Sequence, residues 1–284
     1  MLLAAYSCEH KELCFDHDEH APKTEILVKA TYQQEWEVPA QGGTDWENYP
    51  SFAQRFGFEY DSLRPAVPEG LRVQVYNDDG TNNVVNLEPE GGTVQMRPGE
   101  HSLLFYNNDT EYIVFDDMNS YASARATTRA VTRSTYLGSQ YMDNAADNTV
   151  NQPDMLYGNY MESYTAVRQP ETAELPVTMH PLVFTYVVRY EFSHGLEYVA
   201  LARGALAGMA ESVMLNTGRT SAEAATILFD CTLQPYGAQA CVRSFGVPDY
   251  PNALYKTRAA TRTYALNLEV RLNNGQRKTF DFDV

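Results

Sequence analysis

From Thr24 onward apolar and polar side chains alternate with a period of two, and that repeat constrains the chain more than any other feature. A period of two places successive side chains on opposite faces of a strand, so one face can be buried while the other meets water. Leu71-Arg72-Val73-Gln74-Val75-Tyr76 alternates cleanly and is followed by the turn-forming Asn77-Asp78-Asp79-Gly80. Thr93–Met96, closed by Pro98-Gly99, is a second short strand. His101–Tyr106 and Glu111–Phe115 follow, separated by Asn107-Asn108-Asp109. Strands at this spacing, with no helix-length amphipathic segment between them, predict sheet packed on sheet rather than parallel βαβ units. The expected fold class is all-β, with two sandwich domains in tandem.

The division expected from the pattern is a tether over 1–24, a first domain with its crossover linker over 25–174, and a second domain over 175–284. Gln152-Pro153-Asp154 and Gln169-Pro170-Glu171 mark the end of the first domain and its linker. Arg125, Arg129 and Arg133 recur every fourth residue, which fits a solvated face of either a helix or an outward strand. In the second domain Leu182, Phe184, Tyr186, Val188, Tyr190 and Phe192 share one face of a long strand. Glu197–Arg203 reads as another strand, and the small residues of Gly204–Ser212 as a short helical turn after it.

The last hairpin tests register. A two-residue loop at Asn274-Gly275 would split the apolar residues of its strands between faces. A three-residue loop, Asn273-Asn274-Gly275, pairs Leu268 with Phe280 and keeps them together, with Gly275 at positive φ. Ala225–Leu233 and Ala240–Val247 form a neighbouring pair. If Gln234–Ala238 is their loop, Cys231 and Cys241 sit opposite each other, either as a cross-strand disulfide or as two buried thiols.

Lys and Arg number 21 against 37 Asp and Glu, a formal charge of -16. Nucleic-acid binding requires a basic footprint, so nucleic acid is excluded as a partner. No CxxC pair, HExxH, P-loop, GxSxG or dinucleotide fingerprint occurs. His101, His180 and His194 fall beside turns or strand ends, and the acid pairs Asp116-Asp117 and Asp281 with Asp283 read as water-facing strand ends. The chain is therefore expected not to be an enzyme, with no catalytic residue, no metal site and no cofactor.

Met1-Leu2-Leu3-Ala4-Ala5-Tyr6-Ser7-Cys8 resembles the tail of a lipoprotein signal peptide, which implies cleavage before Cys8 and acylation of its thiol. The polar segment Glu9–His20 reads as a hydrated tether. Ser7–Cys14, Arg97-Pro98-Gly99-Glu100, Arg203–Ala210, Ala225–Cys231 and Ser244–Pro248 together resemble a fimbrillin-related family of surface lipoproteins from gut-type Gram-negative anaerobes, a domain of unknown function. The resemblance implies two transthyretin-like (Greek-key) sandwiches, displayed on the outer membrane by the lipid on Cys8 alone. It implies a fimbrial accessory, anchor, tip or adhesin-like subunit. The partners would be other fimbrial subunits or host and surface glycoproteins. A surface glycan-binding lipoprotein and a surface hydrolase are the alternatives.

Overall fold

The computed structural model describes residues 23–34, 49–132, 148–248 and 264–283. The tether with Cys8, and Arg133, lie outside these residues. The fold is all-β. Among the described residues, helix is confined to α1 (Phe52–Phe56) and short 3-10 turns such as Tyr60–Leu63.

The first unit is made of β1 (Thr24–Tyr32), β2 (Leu71–Asn77), β3 (Asn82–Leu87), β4 (Gly91–Met96), β5 (Gly99–Tyr106), β9 (Tyr157–Ala166) and β10 (Ala173–Pro181), in the order β3-β2-β5-β9-β10-β1-β4. The order bends at one place. β9 meets β10 only at His180↔Gly158 and Pro181↔Tyr157, while the rest of β10 runs parallel to β1. The sheet thus folds into two layers over a common core. Val73, Val75, Leu103 and Phe105 come from one layer, and Ile26, Val28, Val94, Val177 and Met179 from the other.

This topology moves the expected boundary. Leu175 was expected to open the second domain, but β10 pairs with β1 over Ile26↔Ala173 to Tyr32↔Met179 and buries Leu175 in the first core. A strand claimed by its hydrogen-bond partner cannot be assigned from its position in the chain. The first unit ends near Pro181.

The second unit contains β8 (Thr149–Val150), β11 (Phe184–Glu191), β12 (Val199–Ala210), β14 (Ala224–Gln234), β15 (Gly237–Ser244), β16 (Ala265–Leu272) and β17 (Arg277–Asp283). β8, β14, β12, β16 and β17 form one layer, and β11 and β15 form the other, joined among the described residues only near the β14–β15 turn. Val188, Tyr190, Ala202, Leu206, Ile227, Phe229, Val242, Leu268 and Val270 fill the space between them. Tyr186, Val188, Tyr190 and Phe192 face this core as their spacing predicts, whereas Phe184 is exposed and Leu182 packs in the joint between the units.

The expected helical turn at Gly204–Ser212 is absent. Gly204–Ala210 continue β12, the central strand, which is paired with β14 on one side and β16 on the other, and Ser212 opens the next strand. Their smallness serves packing, because a Cβ on Gly204 would come within 2.2 Å of the Phe229 ring. The last hairpin has the register that keeps its apolar residues together. Leu268 pairs with Phe280 and Leu266 with Phe282, and Gly275 has φ 84.

A small third sheet joins the units. β6 (Ile113–Asp116) and β7 (Arg125–Thr128) come from the first half of the chain and β13 (Ser212–Met214) from the second, in the order β13-β7-β6. Arg125 therefore stands on a strand. Tyr76, Leu104 and Tyr106, on the outer face of the first sandwich, pack against Ile113, Ala126, Val213 and Phe245. Leu103-Leu104-Phe105-Tyr106 is buried on both faces, so this part of β5 reads as a continuous apolar run and not an alternation. The Gln152–Asp154 segment, expected as linker, is part of this joint. The Asp154 carboxylate accepts the backbone N–H groups of Glu111 (2.8 Å), Tyr112 (2.5 Å) and Ile113 (3.2 Å).

Candidate interaction surface

Among the described residues β17 is paired only on one side, to β16, and is the last strand of its layer. Cross-strand pairing puts Phe280 and Phe282 on the same face as Leu268 and Leu266, the face turned to the second core. Leu268 is 2% exposed, yet Phe280 is 45% and Phe282 43% exposed. The Phe282 ring lies 5.9 Å from that of Tyr190 on β11, which confirms that it points between the layers. Among the described residues β11 in turn pairs with β15 alone. Two strand edges thus flank an apolar strip that the layers do not cover. An edge carries unused N–H and C=O groups, and core-facing aromatics beside it add an apolar reason to take another strand.

The outer face of the β11–β15 layer is occupied by the first unit. The Arg189 guanidinium donates to the Arg55 carbonyl and lies over the Tyr236 ring, 3.7 Å from its centre. Gln239 Nε2 donates to the Phe56 carbonyl at 2.9 Å. α1 brings Phe52 against Phe56, Phe58 and Tyr60, with ring centres 4.6, 5.8 and 5.5 Å away. The helix is short and has no side-chain cap; these aromatic contacts hold it. Access to the β11–β15 layer therefore comes by its edge.

Cys231 and Cys241 are both free thiols. Their turn holds only Pro235 and Tyr236, with Gln234↔Gly237 and Thr232↔Gln239 paired, one residue off the register that would set the cysteines opposite each other. The slip sends them to opposite faces. Cys231 packs against the second core and Cys241 is exposed. Burial, with some help from the Asp230 carboxylate, pushes the Cys231 thiol up to about 12. Burial also raises the Cys241 thiol, with the Arg243 charge working against it.

The histidines and paired acids are dispersed. His180 Nδ1 meets Gln33 Oε1 at 2.7 Å, His194 contacts Ser193 Oγ at 2.9 Å, and His101 is buried in β5. Asp116 accepts from Thr127 Oγ1 (3.3 Å), Asp117 pairs with Arg125 (3.3 Å), and Asp281 accepts from Asn267 Nδ2 (2.5 Å). These carboxylates have partners on neighbouring strands, where the sequence suggested water alone. Sequence reasoning did not identify Phe280 and Phe282 as exposed. The hairpin register placed them on the core face, but nothing local told that the facing layer would stop short of them.

The layers and the unfinished edge define an all-β protein of several sheets. Residues 47–230 match the family described as a domain of unknown function (DUF5119). The chain belongs to that family. A protein of Bacteroides ovatus named "Putative fimbrium anchoring subunit Fim4B" is 27% identical over 186 residues, covering 65% of this chain and 54% of the relative. The chain thus spans about half the length of that relative. The crystal structure of a "putative adhesin" from Bacteroides ovatus superposes with a TM-score of 0.66 over 99% of this chain and 88% of that one, at 20% identity. A second structure described in the same words, also from Bacteroides ovatus, gives a TM-score of 0.50 at 8% identity, covering 94% and 80%. These two likenesses show the fold.

Proposed function

We propose that the protein is a surface-displayed fimbrial accessory subunit, an anchor, tip or adhesin-like component, and that it works by assembly and not by catalysis. In this reading each unit is a transthyretin-like sandwich. The lipid on Cys8 holds the chain to the outer membrane, and the partners are other fimbrial subunits. The observation that carries the reading is the uncovered strip beside β17, where Phe280 and Phe282 face the core side and stay nearly half exposed. An incoming strand there would gain main-chain hydrogen bonds from an edge and bury its alternate side chains on the two rings. The kinship with a protein named as a fimbrium anchoring subunit supports the same reading.

The test is recovery of partners from outer-membrane extracts of cells expressing the full-length chain. The wild type is expected to retain fimbrial subunits, and a Phe280→Asp, Phe282→Asp double variant with an unchanged circular dichroism spectrum to lose them. Recovery of the wild-type protein alone would reject the proposal. Labelling with a fatty-acid analogue, abolished by Cys8→Ala, tests the anchor separately.

A further inference from the structure

The strip beside β17 is bounded by two edges, and those edges differ on the side turned away from the strip. On β17 that side carries Thr279 and Asp281, paired across to Glu269 and Asn267. All four are polar, and Asp281 accepts from Asn267 Nδ2. On β11 that side carries Thr185 and Val187, which line a cavity of about 450 Å³. Phe52, Phe56 and Leu63, from the segment around α1, line it as well. Arg64 is also in the lining and is paired with Asp61 at 2.8 Å. The segment is fixed in place. Arg189 and Gln239 hold the Arg55 and Phe56 carbonyls, and Gln34 Nε2 donates to the Pro65 carbonyl at 3.3 Å.

The cavity lies past the unpaired edge of β11. Thr185 and Val187 pair with Arg243 and Cys241 of β15. Those two β15 residues line a neighbouring groove that also reaches Thr185, and among the described residues β15 contributes none to the cavity. Groove and cavity therefore flank β11 on its two sides, the groove over β15 and the cavity beyond the open edge.

A strand laid along an open edge takes its main-chain hydrogen bonds from that edge and turns successive side chains to opposite sides. At β11 one set would face the strip, where Tyr190 and Phe282 stand, and the other would enter the cavity. Both sides are mainly apolar. Such a strand reads as consecutive apolar residues, like strands buried on both faces, and not as an alternation. The β17 edge would select the alternation instead, since its far side is polar. A small apolar molecule in the cavity would leave the N–H and C=O groups of the β11 edge unused.

We infer, resting on the strand-accepting role proposed above, that the edge of β11 and not that of β17 receives the partner strand, and that this strand is apolar at consecutive positions opposite residues 185–188.

A photo-crosslinking amino acid is placed at Thr185 or at Thr279, both exposed, in the full chain expressed in cells. Outer-membrane extracts are irradiated and the cross-linked peptides sequenced by mass spectrometry. Thr185 is expected to capture a partner peptide with consecutive apolar residues, at least about tenfold more than Thr279 does. Val187→Asp, in the cavity wall, should cut capture at Thr185 about tenfold with an unchanged circular dichroism spectrum, and Val187→Ile should retain it. Capture from Thr279 alone, equal capture from both, or a captured peptide polar at every second position would overturn the inference while the strand-accepting role stands. Cross-links only to this chain or to a second copy of it would overturn it too, because the protein itself then covers the edge. With no partner peptide from either position, the inference and the role both fall.

Discussion

The two sandwiches are built from the same alternation and finish differently at their margins. In the first, β3 at the edge of one layer runs directly into β4 at the edge of the other, with Glu88 bridged to Gly91, so the chain itself closes that side. In the second, among the described residues, β11 and β17 end their layers without such a connection, and the aromatic residues that would fill a closed core stand partly in water. Closure is a property of connectivity. Composition cannot supply it, since Phe105 and Phe280 occupy equivalent inward positions in their strands and differ by which strand lies across from them.

The most direct way to break this comparison is to truncate a ring on each side of it. Phe105→Ala should cost about 3–5 kcal/mol in urea unfolding, because Phe105 is 1% exposed and leaves a cavity. A cost below about 1 kcal/mol there would mean the first core is not closed. Gly204→Ala probes the packed centre of the second unit, where the new methyl would strike Phe229. About 1–3 kcal/mol of destabilisation is expected, with faster amide exchange in β12 and β14. Gly275→Ala tests the hairpin that positions β17. Its φ of 84 makes a side chain there cost about 1–2 kcal/mol, and exchange should quicken in β16 and β17 and not in the first unit.

Phe280→Ala is the counterpart of Phe105→Ala, and its expected cost is under about 1 kcal/mol because the ring is already half in water. A large loss would show that the strip is covered in solution. The smallest effect sharpens the register. Brief alkylation at pH 8 followed by peptide mapping should modify Cys241 well before Cys231, whose thiol is held near 12 by burial. Recovery of a peptide linked between the two would contradict the one-residue offset.

Much of the strand content was legible, since period two is local and survives without knowledge of neighbours. The β16–β17 register could be deduced because both strands and their turn lie within a few residues, and only one loop length keeps Leu268 and Phe280 together. The same method failed at Cys231 and Cys241. There the loop was judged too long, and a shift of one residue reverses every face. The helical reading of Gly204–Ser212 failed because small residues look indifferent to structure until Phe229 lies across them. The uncovered strip beside β17 was legible only as a set of inward-facing rings.

By itself, then, the sequence determined that the chain is made of strands, where most of them turn, and that it carries a formal charge of -16. The tertiary structure decided which strands pair across long separations. It gave β10 to the first unit and β13 to a sheet begun a hundred residues earlier in rough count, and it left β17 at an edge. The reason is that side-chain alternation specifies a face and never a partner. Partners are chosen by hydrogen bonding and burial among segments far apart in the chain, and the exposed edge is whatever that choice leaves over.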